Sequence, residues 1–280
     1  MTTATLDHST FDWALARRQI QGILRLELRA CLLGRRAFVT YFLAFGPVAL
    51  MTMFAMFSDA AEFEGIATGM EIFAAFFHGY VRTSIFLGTL ILFMSLFRSE
   101  VLRKSLHYYL LTPVRREVLV AGKFFAALIA SIVVFSIATV ALYILAFMPW
   151  GVGEVSRHLF QGPGLGDLLS YVGIAALAST GYGAVFLLAG VMLRNPVVAA
   201  VIIWSWEAAN FILPVLLKKI SVIFYLEALY PVPLPTEVFA VIADPISPFL
   251  AIFGLLVFTV AVLAVAAFQV KRMEVNYGDD

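Results

Sequence analysis

The chain has 280 residues, 62% of them hydrophobic and 13% charged, with a mean hydropathy of +0.96, far outside the range of soluble globular domains. A net charge of +1 gives no basic balance for nucleic acid, and the single cysteine, Cys31, excludes an intramolecular disulfide and a thiolate metal cluster. This is the composition of an integral membrane protein, to be counted in spans of about 20 apolar residues that each cross roughly 30 Å of hydrocarbon.

In chain order, the segment MTTATLDHSTFDWALARR carries acids before any hydrophobic run and has no compact apolar core with a small-residue cleavage site. No removable signal peptide is expected, and the first span serves as its own signal. Over 12–36, Trp13, Ile20, Leu24, Leu28 and Leu32 recur at helical spacing, while Arg18, Gln21, Arg25 and Arg29 share another face. The pattern predicts an amphipathic helix lying in the membrane interface, its cations toward anionic headgroups; a plain positively charged lead-in to the first span is the simpler reading. Gly22 and Glu27 interrupt the stripe.

Six apolar runs follow as candidate spans, at 38–57, 72–97, 118–148, 168–193, 197–217 and 248–270. In the fourth, Ala175, Ser179 and Gly183 form a small-residue face of the kind that lets membrane helices approach closely. Between the fifth and sixth, 218–247 contains Pro231, Pro233, Pro235 and Pro245 among many apolar residues. It is too broken to span and too apolar to be a solvated loop, so short re-entrant helices on the outer side are expected.

Basic residues set the orientation, because retained loops near span ends are enriched in them. Arg17, Arg18, Arg25, Arg29, Arg35 and Arg36 precede the first span, and Arg98, Arg103, Lys104, Arg115, Arg116 and Lys123 join the second and third. Arg194, Lys271 and Arg272 fall on the same side, leaving Arg82, Arg157, Lys218 and Lys219 for the other side or for the second span. Both termini are therefore expected in the cytoplasm, and the whole chain, 1–280, is read as one transmembrane domain.

Catalytic chemistry is sparse. A phosphate-binding loop needs an upstream glycine, then Lys and Ser or Thr; here Gly122-Lys123 is followed by Phe124. Gly164-Leu165-Gly166-Asp167 matches the GxGD string of intramembrane aspartyl proteases, but it has no Tyr-Asp partner in any span and reads as a simple turn. There is no HExxH, and His8, His78, His107 and His158 lack ligand spacing. No enzymatic activity is expected of this chain.

A charge inside a span is costly, so Glu207, with Asn210 beside Trp204 and Trp206, has two readings. One is a role in a substrate pathway or in gating. The other is structural, capping a broken helix or pairing across a subunit interface. Glu71 and Arg82 are nearer a span end and can reach the interface.

The most densely charged stretch is FRSEVLRKSLHYYLLTPVRREVLVAGKF. Leu102, Leu106, Tyr109 and Leu110 fall on one helical face and Arg103, Lys104 and His107 on another. Thr112-Pro113 then ends that helix and suits the start of a second, with Thr112 as N-cap. An ordinary positive-inside connection that binds anionic lipid is the plain alternative to a docking elbow.

Ser99-Glu100, then Tyr109-Leu110-Leu111-Thr112-Pro113-Val114-Arg115-Arg116, then Val120-Ala121-Gly122-Lys123 closely resembles the loop between the second and third spans of ABC-2 type transporter permeases. The likeness extends to the N-terminal helix, the six spans, the inward termini and the re-entrant segment before the last span. It implies an all-α exporter permease of the bacterial inner membrane that dimerises with a second copy or a paralogue. It also implies two ATP-binding subunits that carry the ATP and Mg, with no cofactor on this chain. By position, the loop 98–117 holds the coupling helix, and Glu100, Arg103, Lys104, Tyr109, Thr112, Pro113, Arg115 and Arg116 would dock on the ATPase. Substrates in that family range over drugs, lipids, polysaccharide precursors and ions. A secondary transporter or channel with no ATPase partner is the competing reading; it predicts charged or broken helices near the midplane.

Overall fold

The computed structural model describes residues 13–59, 65–102, 116–193, 195–232 and 246–272. Among these every regular element is helical. The order is α1 (Trp13–Leu33), α2 (Arg35–Phe57), α3 (Ile66–Tyr80), a π-helical turn (Val81–Ile85) and α4 (Phe86–Leu102). After the connection come α5 (Arg116–Phe147), a 3-10 turn (Met148–Trp150), α6 (Val152–Gln161) and α7 (Gly164–Met192). Then follow α8 (Pro196–Ala208), a 3-10 turn (Ala209–Ile212), the short α9 (Val215–Lys218) and α10 (Val222–Glu227), and α11 (Pro248–Arg272).

Among the described residues, five helices are long and apolar enough to cross a membrane: Ala37–Phe57, Ile66–Leu96, Val118–Trp150, Gly164–Met192 and Pro248–Val270. The chain is an all-α, multi-pass membrane protein. The second of these runs through the π-helical turn, whose i→i+5 hydrogen bonds let α3 and α4 stack as one rod.

The run expected to span at 197–217 is shorter than one span. It starts cleanly, with Pro196 in the first turn and the Asn195 side chain accepting from the Val197 amide at 2.9 Å. It stops because Leu213, which precedes Pro214, is extended (φ −66°, ψ 147°), as a residue before proline tends to be. What remains is the 17-residue apolar helix Pro196–Ile212. The string 164–167 also differs from the expected turn: it is the first turn of α7, where Asp167 meets the positive end of the helix dipole.

Glycines set how closely the helices meet. A Cβ on Gly183 would lie 2.5 Å from the Phe93 ring of α4, one on Gly190 would lie 2.9 Å from the Met94 backbone, and one on Gly181 would meet Val222 of α10 and Leu255 of α11. Ala175 and Ser179 are fully buried along the same helix, so the small-residue face does what its spacing predicts. The outcome is a central pair, α3–α4 and α7, wrapped by α2, α5 and α11. Over an apolar 18-residue stretch of each, 67% and 61% of the residues are buried in the central two, against 22% in both α2 and α11.

At one end of the bundle α3, α5 and α7 share an aromatic core. Phe73 meets Tyr143 and Tyr171 edge-on, with centroids 4.9 and 4.7 Å apart, and Phe77 meets Tyr171 at 4.9 Å. Such contacts add to the burial of the rings. His158 of α6 lies half-buried against Phe147, its Nε2 3.1 Å from the Tyr143 hydroxyl. No cluster of His, Cys, Asp and Glu suited to a metal ion occurs among the described residues.

Candidate functional site

Three acidic side chains organise the polar chemistry of the bundle. The first is Glu207, 8% exposed at the end of α8. Its carboxylate accepts from the Ser221 hydroxyl at 2.7 Å, from the Val222 and Ile223 amides at 3.0 Å each, and from the Tyr182 hydroxyl of α7 at 3.4 Å. Val222 and Ile223 open α10, and Ser221, at its N-cap position, makes no side-chain cap of its own. The carboxylate of α8 therefore supplies the cap that α10 lacks, and it sits where the helix dipole favours negative charge. This is the geometry of a cap on a broken helix, one of the two roles open from the sequence. Asn210 is buried next along the chain, its carbonyl accepting from the Leu213 amide at 3.2 Å, and it does not bond to Glu207.

The second acid, Glu227, ends α10. Arg82 donates to it at 3.0 Å and His78 lies 3.7 Å away. Arg82 is delivered by the π-helical turn and His78 by the last turn of α3. A six-residue helix is thus tied at both ends, to α7 and α8 through Glu207 and to the α3–α4 rod through Glu227. The adjoining Tyr230 packs edge-on against Phe77, and burial pushes its phenol well above the ordinary value, with Glu227 adding to the shift.

The third acid, Glu27, is the residue that interrupted the apolar stripe of α1. It pairs with Lys123 of α5, whose side chain is wholly buried and also donates to the Leu96 carbonyl at 3.3 Å. The preceding residue, Gly122, makes room: a Cβ there would lie 3.0 Å from Ile23 of α1. Helix α1 consequently turns Ile23, Glu27 and Cys31 toward the bundle and leaves Arg18, Arg25 and Arg29 exposed. Ile20, Leu24, Leu28 and Leu32 of the expected stripe are half-buried, as are Ile23 and Glu27, and Leu28 and Leu32 pack against the core together with Ile23. The helix lies on protein through a face that holds both the apolar stripe and Glu27.

Of the residues expected to dock an ATPase, Glu100 stands near the end of α4 and Arg116 opens α5. Arg103, Lys104, Tyr109, Thr112, Pro113 and Arg115, with the short helix and its N-cap, lie outside the described residues, as does the 233–245 part of the segment expected to be re-entrant.

No family model matches the chain, and neither a curated protein nor a solved structure matches it.

Proposed function

We propose that this chain is the membrane-spanning permease subunit of an ATP-driven exporter of the ABC-2 type, working as a dimer with two copies of a separate ATP-binding subunit. The observation that carries the reading is the seat of the Gly122-Lys123 pair. In the loop it resembles, this pair opens the third span; here Gly122 admits Ile23 and Lys123 pairs with Glu27. The third span is therefore locked to α1 next to the connection 103–115. A push on that connection moves α1 and α5 together, which is what a transmission element needs. ATP and Mg reside on the partner, consistent with the missing phosphate loop. In this reading six helical segments enter the membrane, α8 among them, with both termini cytoplasmic in a bacterial inner membrane. Glu207 and Asn210 are the pathway or gating residues of this reading.

A second reading, a secondary transporter driven by an ion gradient, is favoured by the break after α8 and by Arg82 on a π-helical turn. Both Glu207 and Arg82 already have partners within the chain, which weighs against a free ion relay.

Co-purification separates the two. Expressed with an ATPase from its own genomic neighbourhood, the protein is expected to retain it, and Arg115→Glu with Arg116→Glu is expected to release it. A complex and ATP-dependent transport that both survive the double substitution would remove the docking argument.

A further inference from the structure

We infer that the outward-facing stripe of α3 and the π-helical turn is a wall of an aqueous pathway, and that the Arg82–Glu227 pair is the polar group a hydrated solute meets there. The stripe is Glu71, Ala75, Gly79 and Thr83, spaced one helical turn apart and all exposed, with His78 and Arg82 half-exposed beside it. Among the described residues the space at its centre is open: a Cβ on Gly79 would meet no atom within 4 Å.

The exposed faces of α2 and α11 have a different chemistry. On α2 the exposed side chains include Phe38, Phe42, Met53 and Met56, and on α11 they include Phe249, Phe253, Val257 and Val260. Large apolar residues of that kind suit acyl chains. Small residues, a threonine, a carboxylate and an ion pair do not. Charged groups within membrane helices face protein or water, because hydrocarbon gives their hydration no substitute. The Arg82 side chain is 28% exposed and that of Glu227 is 39% exposed, so the described residues of this chain do not fully cover them. In the inferred pathway, water hydrates them. The polar stripe ends at Leu87, where the exposed residue is again apolar, so the aqueous wall covers α3 and the π-helical turn and stops at the start of α4. The cargo that fits such a wall is hydrogen-bonding and hydrated rather than a lipid tail.

This inference rests on the permease reading, since it gives that pathway a wall. Its test needs neither ATP nor an ATPase. In a Cys31→Ser background, single cysteines replace Ala75, Gly79 and Thr83 on the stripe and Val257 and Val260 on the lipid face of α11. Intact vesicles carrying the full-length chain are treated with a charged, membrane-impermeant thiosulfonate, which reacts with the thiolate that only water supports. The stripe cysteines are expected to react faster than the α11 cysteines by at least about tenfold, and Arg82→Gln is expected to leave that order unchanged. Equal, slow reaction at all five positions, with rapid labelling of all five by a lipid-soluble maleimide, overturns the proposal. Slow reaction of the stripe cysteines with both reagents overturns it too, because the stripe is then buried in an interface. A labelled stripe in a protein that binds no ATPase overturns the coupling reading and leaves the aqueous wall standing.

Discussion

Glu207 and Glu27 are both removed from solvent, yet they are satisfied in opposite ways. Glu207 receives four neutral donors, two of them the first amides of a helix; Glu27 is matched by a single buried ammonium, Lys123. A carboxylate held by distributed dipoles fixes the position of a backbone segment, and its energy is spread over several bonds. A carboxylate held by one ion concentrates the interaction in a pair, so loss of either member leaves an uncompensated charge. The first arrangement anchors the short helix α10 against α7 and α8. The second bolts α1 to α5.

This contrast ranks what substitutions do. Lys123→Ala should have the largest effect, a loss of about 3–5 kcal/mol because Glu27 stays behind nearly buried. It would be read as a lowered unfolding temperature in detergent. Glu27→Leu with Lys123→Met should recover most of that loss; a double variant as unstable as the single would show that packing, not charge, holds α1. Glu207→Gln comes next. The amide nitrogen cannot accept, so at least one donor at the start of α10 loses its partner, at about 1–3 kcal/mol, and hydrogen exchange should rise at Val222 and Ile223. Should this variant also transport at the normal rate, Glu207 is a cap and not part of the pathway. Arg82→Gln should have the smallest effect on stability, about 0–1 kcal/mol, because the pair with Glu227 is solvent-screened. A loss as large as that of Lys123→Ala would place Arg82 among the buried anchors and break the distinction.

Much of this was legible in the sequence, for physical reasons that can be named. Long apolar runs set the spans, and the four-residue spacing of Ala175, Ser179 and Gly183 marked the close-packed face of α7. Glu207 was conspicuous because charge in an apolar run is costly, and capping a broken helix was already one of its two roles. Its donors were not legible, since Ser221, Val222 and Ile223 become a helix start only once α10 forms. The part Glu27 plays in α1 was not legible because an acid on a stripe reads as a defect until its cation is found, and Lys123 lies 96 residues away. Gly122-Lys123 carried that signal only as part of the loop motif. The π-helical turn at Val81–Ile85 has no periodicity of its own, so Arg82 gave no hint of reaching Glu227. The break in the fifth run could have been placed from Pro214 alone, because the residue before a proline resists the helical conformation.

The central claim is that energy reaches this chain from a separate ATPase through the connection between α4 and α5. It is tested most directly by ATP hydrolysis in proteoliposomes holding the chain together with a candidate ATPase from its own genomic neighbourhood. Hydrolysis coupled to solute movement is expected with the intact chain, and uncoupled or absent hydrolysis with Arg115→Glu and Arg116→Glu. Solute movement driven by an ion gradient in vesicles that contain the chain alone would contradict the account.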